Sequence, residues 1–426
     1  MKEGKVLFYR PPEFLFSKWY LYVMSSPQKP VYLDYHATTP VEERVLEAML
    51  PWFTREFGNP ASRSHAYGWK ASEAVEISRS QVADLLHADP KSIIFTSGST
   101  EGLNMAIKGL AETSGHIGKH IITVATEHHA VLDTVDWLKR KGFELSILPV
   151  DSNGKLDAEY LRKAIRNDTI MVIVMWANNE TGVLQDIKEI GLICHQAGVP
   201  LVCDATQAAG KIEIDLTQIP VDILTISAHK MYGPKGTGAL YINPSLRLKP
   251  AALIHGGGHE RGYRSGTLNV PGIVGIGAAS ILRKENLPAD QDRILPYRDL
   301  LEKTILSALE EVSVNGHVDD RLHTVSNLKV SYVESQAVMT RFRSDLAISS
   351  GSACSSANPE PSHVLLAMGL TPAEAKGSFR ISLGVPTTLA EIEIAARIFI
   401  EAVEAERAQS PVWQMFKQGI DVSGNS

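Results

Sequence analysis

The run Val221-Asp-Ile-Leu-Thr-Ile-Ser-Ala-His-Lys230-Met-Tyr-Gly-Pro-Lys-Gly236 decides how this chain is read. It is an apolar stretch that stops abruptly in ionisable residues and a Gly-Pro-x-Gly loop. Just upstream, the apolar residues 201–203 end the same way in Asp204-Ala-Thr-Gln207. In an open parallel α/β sheet, ligands sit beyond the carboxyl ends of the strands, so both runs aim chemistry into one crevice. A lysine there, preceded by a histidine, suits a Schiff-base amine better than a solvated charge. An acid on a neighbouring strand is the partner that a pyridinium nitrogen requires. Lys230 and Asp204 together therefore point to pyridoxal phosphate. The competing readings are a surface lysine and a helix-capping aspartate.

Working outward, apolar strand runs alternate with amphipathic segments from about residue 68 to 280. Candidate strands cover 93–96, 120–125, 144–150, 169–177, 201–203, 223–227 and 237–242; candidate helices cover 71–86, 103–110, 132–141 and 187–197. The alternation predicts an α/β fold whose large domain has a mostly parallel sheet covered by helices on both faces. From about 290 the pattern changes to a charged helix over 293–312, strands near 325–332 and a helix over 389–408, a smaller α+β C-terminal domain. The expected division is a large cofactor-binding domain over 46–289 and a small domain built from 31–45 and 290–426. Residues 1–30 read as an N-terminal extension, disordered or translated from an upstream start. They are aromatic and basic without a cleavage-site pattern, and Met24 offers a second start.

Bulk properties narrow the function. At 426 residues, 44% hydrophobic and 21% charged, the chain has the make-up of a soluble globular protein with a large core. A net charge of -6 argues against nucleic acid or an anionic membrane as the main partner. The aromatic-rich run 14–24 is too short for a membrane span and is broken by Lys18. Three cysteines, Cys194, Cys203 and Cys354, are too few and too scattered for a disulfide framework, which suits a reducing cytoplasm.

Further residues bear on chemistry. Ser97-Gly-Ser-Thr-Glu101 follows a strand and opens a helix, where backbone N–H groups suit a phosphate; a plain N-cap is the alternative. Glu127-His128-His129 follows another strand, so His128 either stacks on an aromatic cofactor and shuttles protons or simply starts a helix. Asn178-Asn179-Glu180 ends the very apolar 171–177 and is read as a substrate-orienting amide or an ordinary turn. Cys354 sits in a loop of serines, glycine and alanines that cannot build a core around it, which favours an exposed nucleophile over a core thiol. Arg380 lies inside a short apolar strand and needs an anion, either a substrate carboxylate or a structural acid.

Together these stretches, with Leu33-Asp-Tyr-His-Ala-Thr-Thr-Pro40, Gly58-Asn-Pro-Ala-Ser-Arg-Ser-His65, 261–267 and 349–356, resemble the IscS/NifS-type cysteine desulfurases. These are class V, fold-type I pyridoxal-phosphate enzymes, and the resemblance runs from Val31 to about Asp421. The tail 410–419 is similar to that of the IscS branch, which docks an iron–sulfur scaffold protein. The resemblance implies a homodimer that takes sulfur from L-cysteine, leaving L-alanine and a persulfide on Cys354. That sulfur would serve iron–sulfur cluster assembly and other acceptor proteins.

It further implies that Lys230 carries the cofactor, that His128 stacks on the ring and assists proton transfer, and that Asp204 keeps the pyridine nitrogen protonated. Gln207 would bind the ring hydroxyl. Ser99, Thr100, Ser227 and His229 would bind the phosphate, with Thr267 reaching across from a second subunit. Asn179 would contact cofactor and substrate, and Arg380 the substrate carboxylate. The alternatives are a selenocysteine lyase or class V aminotransferase, and a non-catalytic assembly subunit. An aminotransferase has no need of Cys354, and a silent subunit has no need of Lys230, Asp204 and His128. Two departures stand out: Ala228 where the family usually has glycine or serine, and a segment 334–343 more basic than usual, which bears on partner choice.

Overall fold

A computed structural model describes residues 30–350 and 360–420. The expected N-terminal extension up to residue 29 and Cys354 with its surrounding segment lie outside the described residues. The central sheet has seven strands: β1 (Ile93–Thr96), β2 (His120–Val124), β3 (Glu144–Leu148), β4 (Thr169–Met175), β5 (Leu201–Asp204), β6 (Ile223–Ser227) and β7 (Gly238–Ile242). Their order is β1-β7-β6-β5-β4-β2-β3, and every strand is parallel except β7. β7 runs antiparallel because the link from Ser227 to Gly238 is too short for a crossover.

β4 is apolar and buried along its whole length, as a strand covered on both faces must be. Its alternate residues divide between two core clusters, Val172 and Val174 in one, Met171 and Ile173 in the other. The covering helices include α1 (Ala66–Leu85), α2 (Ser99–Ser114), α3 (His129–Lys139) and α4 (Ile187–Ala197). Capping sets where three of them begin: the side chains of His65, His128 and Asp186 accept the first free N–H groups of α1, α3 and α4. All the parallel strands end at one edge, and this edge collects the polar residues that close each apolar run.

A second, four-stranded antiparallel sheet is ordered β10-β11-β9-β8, from β8 (Val312–Val314), β9 (Val325–Val330), β10 (Ser349–Ser350) and β11 (Ser378–Ser382). It packs with α6 (Leu389–Gln409) around its own core of Leu33, Leu328, Phe379, Ile381 and Phe399. The charged helix expected over 293–312 is longer and starts earlier, as α5 (Val270–Ala308). Asn269 caps it, and the small apolar residues that open it let it lie close to α1: a Cβ at Gly277 would meet Ser78 Cα at 2.8 Å. Pro288 and Pro296 sit inside α5 on exposed positions, where water satisfies the carbonyls they leave unpaired.

Candidate active site

At the carboxyl edge, Lys230 ends the single 3₁₀ turn Ala228–Lys230 that follows β6. Its amine donates to the carbonyls of His36 at 2.5 Å and Ala37 at 2.8 Å. Those carbonyls belong to a polar segment laid over the end of the sheet, where the Thr39 N–H and hydroxyl both donate to His229 O, at 3.0 and 3.1 Å. The amine is thus half-buried and donates to two backbone carbonyls. Burial first, then the charges of Lys230, Lys235 and Lys211, push the His229 imidazole down to about 4.

Asp204 closes β5 and is buried. Its Oδ1 accepts the Thr206 N–H at 2.9 Å and also the Thr206 hydroxyl. The Thr206 hydroxyl lies 2.7 Å from Ser99 Oγ, linking the acid to the turn that opens α2. The capping alternative for Asp204 is thus met in part, by a local turn within Asp204–Thr206. Gln207 donates from Nε2 to His36 O at 2.9 Å.

The turn Ser97-Gly98-Ser99 sits at the N-terminus of the sixteen-residue α2. Gly98 has φ 147°, which only glycine adopts easily, and a Cβ there would lie 3.5 Å from Ser227 Oγ. Free helix N–H groups beside serine hydroxyls form a cradle for an anion. Ser99 and Ser227 are buried here, while Thr100 is exposed on the first turn of α2. Thr267 is exposed on the loop before α5, and among the described residues its side chain makes no hydrogen bond to Ser99, Ser227 or His229.

His128 is half-buried after β2, and its Nδ1 accepts the Ala130 N–H at 3.0 Å. Burial lowers its pKa, with Asp204 opposing and Lys230 assisting. A neutral ring with Nδ1 accepting carries its proton on Nε2. The preceding Glu127 is wholly buried and accepts the Met175 N–H at 2.6 Å, tying the ends of β2 and β4 together.

Arg380, buried in β11, reaches Asp34 Oδ1 at 2.8 Å and Asn179 O at 3.0 Å. Its Nε has no partner among the described residues. The structural-acid alternative for this arginine is met by the Asp34 ion pair. Asn179 contributes its backbone carbonyl to this cluster. Asp34 and His36 were not assigned roles from sequence, although the quoted stretch 33–40 alternates apolar and polar residues as a half-buried strand would. Lys211 was also missed; its spacing of four from Gln207 was the available signal. Glu180 was quoted only as part of a motif. Its carboxyl is raised by burial to about 7 and takes the Ser362 hydroxyl at 2.5 Å.

A parallel sheet presenting a held amine, a buried acid and an anion cradle at one edge defines a class, and the Aminotransferase class-V family matches residues 31–394. The chain belongs to that family. Within it, the chain groups with the IscS cysteine desulfurases: it is 50% identical over 394 residues to Cysteine desulfurase IscS of Anaeromyxobacter sp. (strain Fw109-5), covering 92% of this chain and 97% of that one. Two solved structures share the fold. A NifS-like protein superposes with TM-score 0.83 at 34% identity, over 89% of this chain and 100% of that one. SspA in complex with cysteine superposes with TM-score 0.74 at 38% identity, over 84% and 99%.

Proposed function

We infer that this chain is a pyridoxal-phosphate-dependent cysteine desulfurase that moves sulfur from L-cysteine to Cys354, for iron–sulfur cluster assembly and other sulfur transfer. The observation that carries the reading is the convergence of Lys230, Asp204, Gln207 and His128 at the carboxyl edge of one sheet. The donor set fits the cofactor. A primary amine meets its aldehyde, the buried Asp204 carboxylate its ring nitrogen, Gln207 its ring oxygen, and Ser99, Thr100, Ser227 and His229 its phosphate.

Bound pyridoxal phosphate supplies an electron sink that stabilises the charge left when the substrate Cα loses its proton and so weakens the Cβ–Sγ bond. Lys230 would hold the cofactor through its amine and, when free, would serve as a base toward the substrate Cα. His128, neutral with its proton on Nε2, would assist proton transfer there. Arg380 and Asn179 hold the substrate carboxylate, with Asp34 fixing the guanidinium from behind. The Cys354 thiolate attacks the substrate sulfur. A new S–S bond forms as Cβ–Sγ breaks, leaving a persulfide on the enzyme and the three-carbon product, alanine.

The expected partners follow the same reading. A homodimer would bring Thr267 of a second copy to the phosphate, and the exposed aromatics Phe53, Phe57, Tyr67 and Trp69, with Phe57 and Tyr67 in ring contact, support such an interface. The C-terminal helix Pro411–Lys417, with Trp413 and Phe416 stacked beside Tyr332, supports docking of an iron–sulfur scaffold. No described helix is long and apolar enough to cross a membrane, and a reducing cytoplasm is the proposed setting for the thiol chemistry.

The test is a pair of variants. Cys354→Ser keeps the visible band of lysine-bound pyridoxal phosphate and loses sulfide release from cysteine in the presence of a thiol reductant. Lys230→Ala loses the band. Wild-type sulfide release from Cys354→Ser removes the nucleophile assignment, and an unchanged spectrum in Lys230→Ala removes the cofactor assignment.

A further inference from the structure

Lys211 is a buried amine that forms no ion pair among the described residues. Its Nζ donates to Gln207 Oε1 at 2.7 Å and to the Gln207 carbonyl at 3.2 Å. The titratable and charged groups facing it are Lys230, Arg380, His36, His229 and His323, each a cation when protonated; burial first, then Lys230 and Arg380, push the Lys211 amine well below the ordinary lysine value. Burying an ammonium without a counter-ion opposes folding, and an apolar side chain of equal length would fill the space without that cost. Folding alone therefore gives no reason for a lysine here.

The hydrogen bonds supply one. A backbone carbonyl can only accept, so the Gln207 NH₂ must face His36 O, 2.9 Å away, and Oε1 is left to face Lys211. The same His36 oxygen receives the Lys230 amine at 2.5 Å. The contacts Lys211–Gln207–His36 O–Lys230 form one unbroken chain from the buried amine to Lys230.

We propose that Lys211 is a positioning residue that locks the Gln207 amide donor-side toward the Lys230 pocket. The proposal rests on the reading of Lys230 as the cofactor-bearing amine. A donor-only amide favours an anionic ring oxygen over a hydroxyl. Lys211 thus acts through Gln207 on the protonation state of the bound cofactor, without touching substrate.

The experiment is a pH titration of the visible band of the holoenzyme. Lys211→Met retains the fold, with a melting temperature at or above wild type, and raises the titration midpoint by about one pH unit. Lys211→Gln keeps a donor to Gln207 without the charge, and covers the case in which the apolar variant fails to fold. Its midpoint stays at the wild-type value, because the donor to Gln207 Oε1 is kept. In a Gln207→Leu background, Lys211→Met produces no additional shift. An unmoved midpoint in folded Lys211→Met overturns the proposal, as does a displaced midpoint in Lys211→Gln or an equal Lys211→Met shift with and without Gln207. A wild-type protein that shows no visible band overturns both the cofactor reading and this one, whereas a normal wild-type band with an unmoved Lys211→Met midpoint overturns the role of Lys211 alone.

Discussion

Glu180 and the buried histidines make opposite demands on solvent pH. Its carboxyl sits near 7 because burial disfavours the charge, while His229 and His323 are held near 4 by the same desolvation, with neighbouring cations adding to it. For the histidines, the unfolded chain takes up the proton first on acidification. Their contribution to stability is complete above pH 6.5 and is lost as pH falls toward 4. Glu180 runs the other way: its folded form binds a proton that the unfolded form has released, so stability is lost as pH rises from 4.5 through 7. Glu180→Gln keeps an acceptor for the Ser362 hydroxyl and removes the ionisation. The variant melts above wild type at pH 8.5, by on the order of 2 kcal/mol of stability, and the gap closes below pH 5. Equal melting gaps at both pH values contradict the assignment of a raised carboxyl.

At the scale of elements, the loop before α5 is tied down by one buried ion pair. Arg79 of α1 meets both oxygens of Glu260 at 2.8 Å and also donates to Ile93 O. Glu260 additionally accepts the Phe95 N–H at 2.7 Å, so a single carboxylate joins α1, β1 and the loop that carries Thr267. Glu260 and Arg261 both adopt positive φ, at 49° and 55°, a strained backbone that these contacts hold in place. Arg79→Met leaves that carboxylate buried and unpaired, and costs about 3–5 kcal/mol in urea unfolding. The double variant Arg79→Met/Glu260→Met recovers most of the loss. No recovery would mean that the backbone N–H of Phe95, rather than the arginine, is the partner that matters.

For the whole molecule, the site is where the two sheets meet. Lys230 and Gln207 come from the seven-stranded sheet and Arg380 from the four-stranded sheet. Asp34 and His36 come from the segment that bridges them, with Asp34 paired to Ser382 of β11. The proposed homodimer is tested at this scale. Trp69→Glu and Phe57→Glu place charges among the exposed aromatics, and sedimentation should then show monomer. Phosphate-dependent cofactor retention falls with the loss of the second copy's Thr267. A dimer of wild-type affinity in both variants moves the interface elsewhere on the surface.

Taken alone, the sequence determined the strand runs and the placing of Lys230 and Asp204 at the edge of the sheet where the apolar runs end. Each rests on local signals: a run of four to seven buried apolar residues has few other fates, and a polar residue closing it must lie at a strand end. The first half of helix α5 escaped because its glycine- and alanine-rich opening has no amphipathic period, and its contact with α1 holds it as a helix. The contacts of Arg380 with Asp34 and of Gln207 with His36 join residues 346 and 171 positions apart. Local pattern carries no record of such pairs, because they exist only once the sheets have packed. The tertiary structure alone decided which anion meets the arginine, and why a lysine lies buried behind the glutamine.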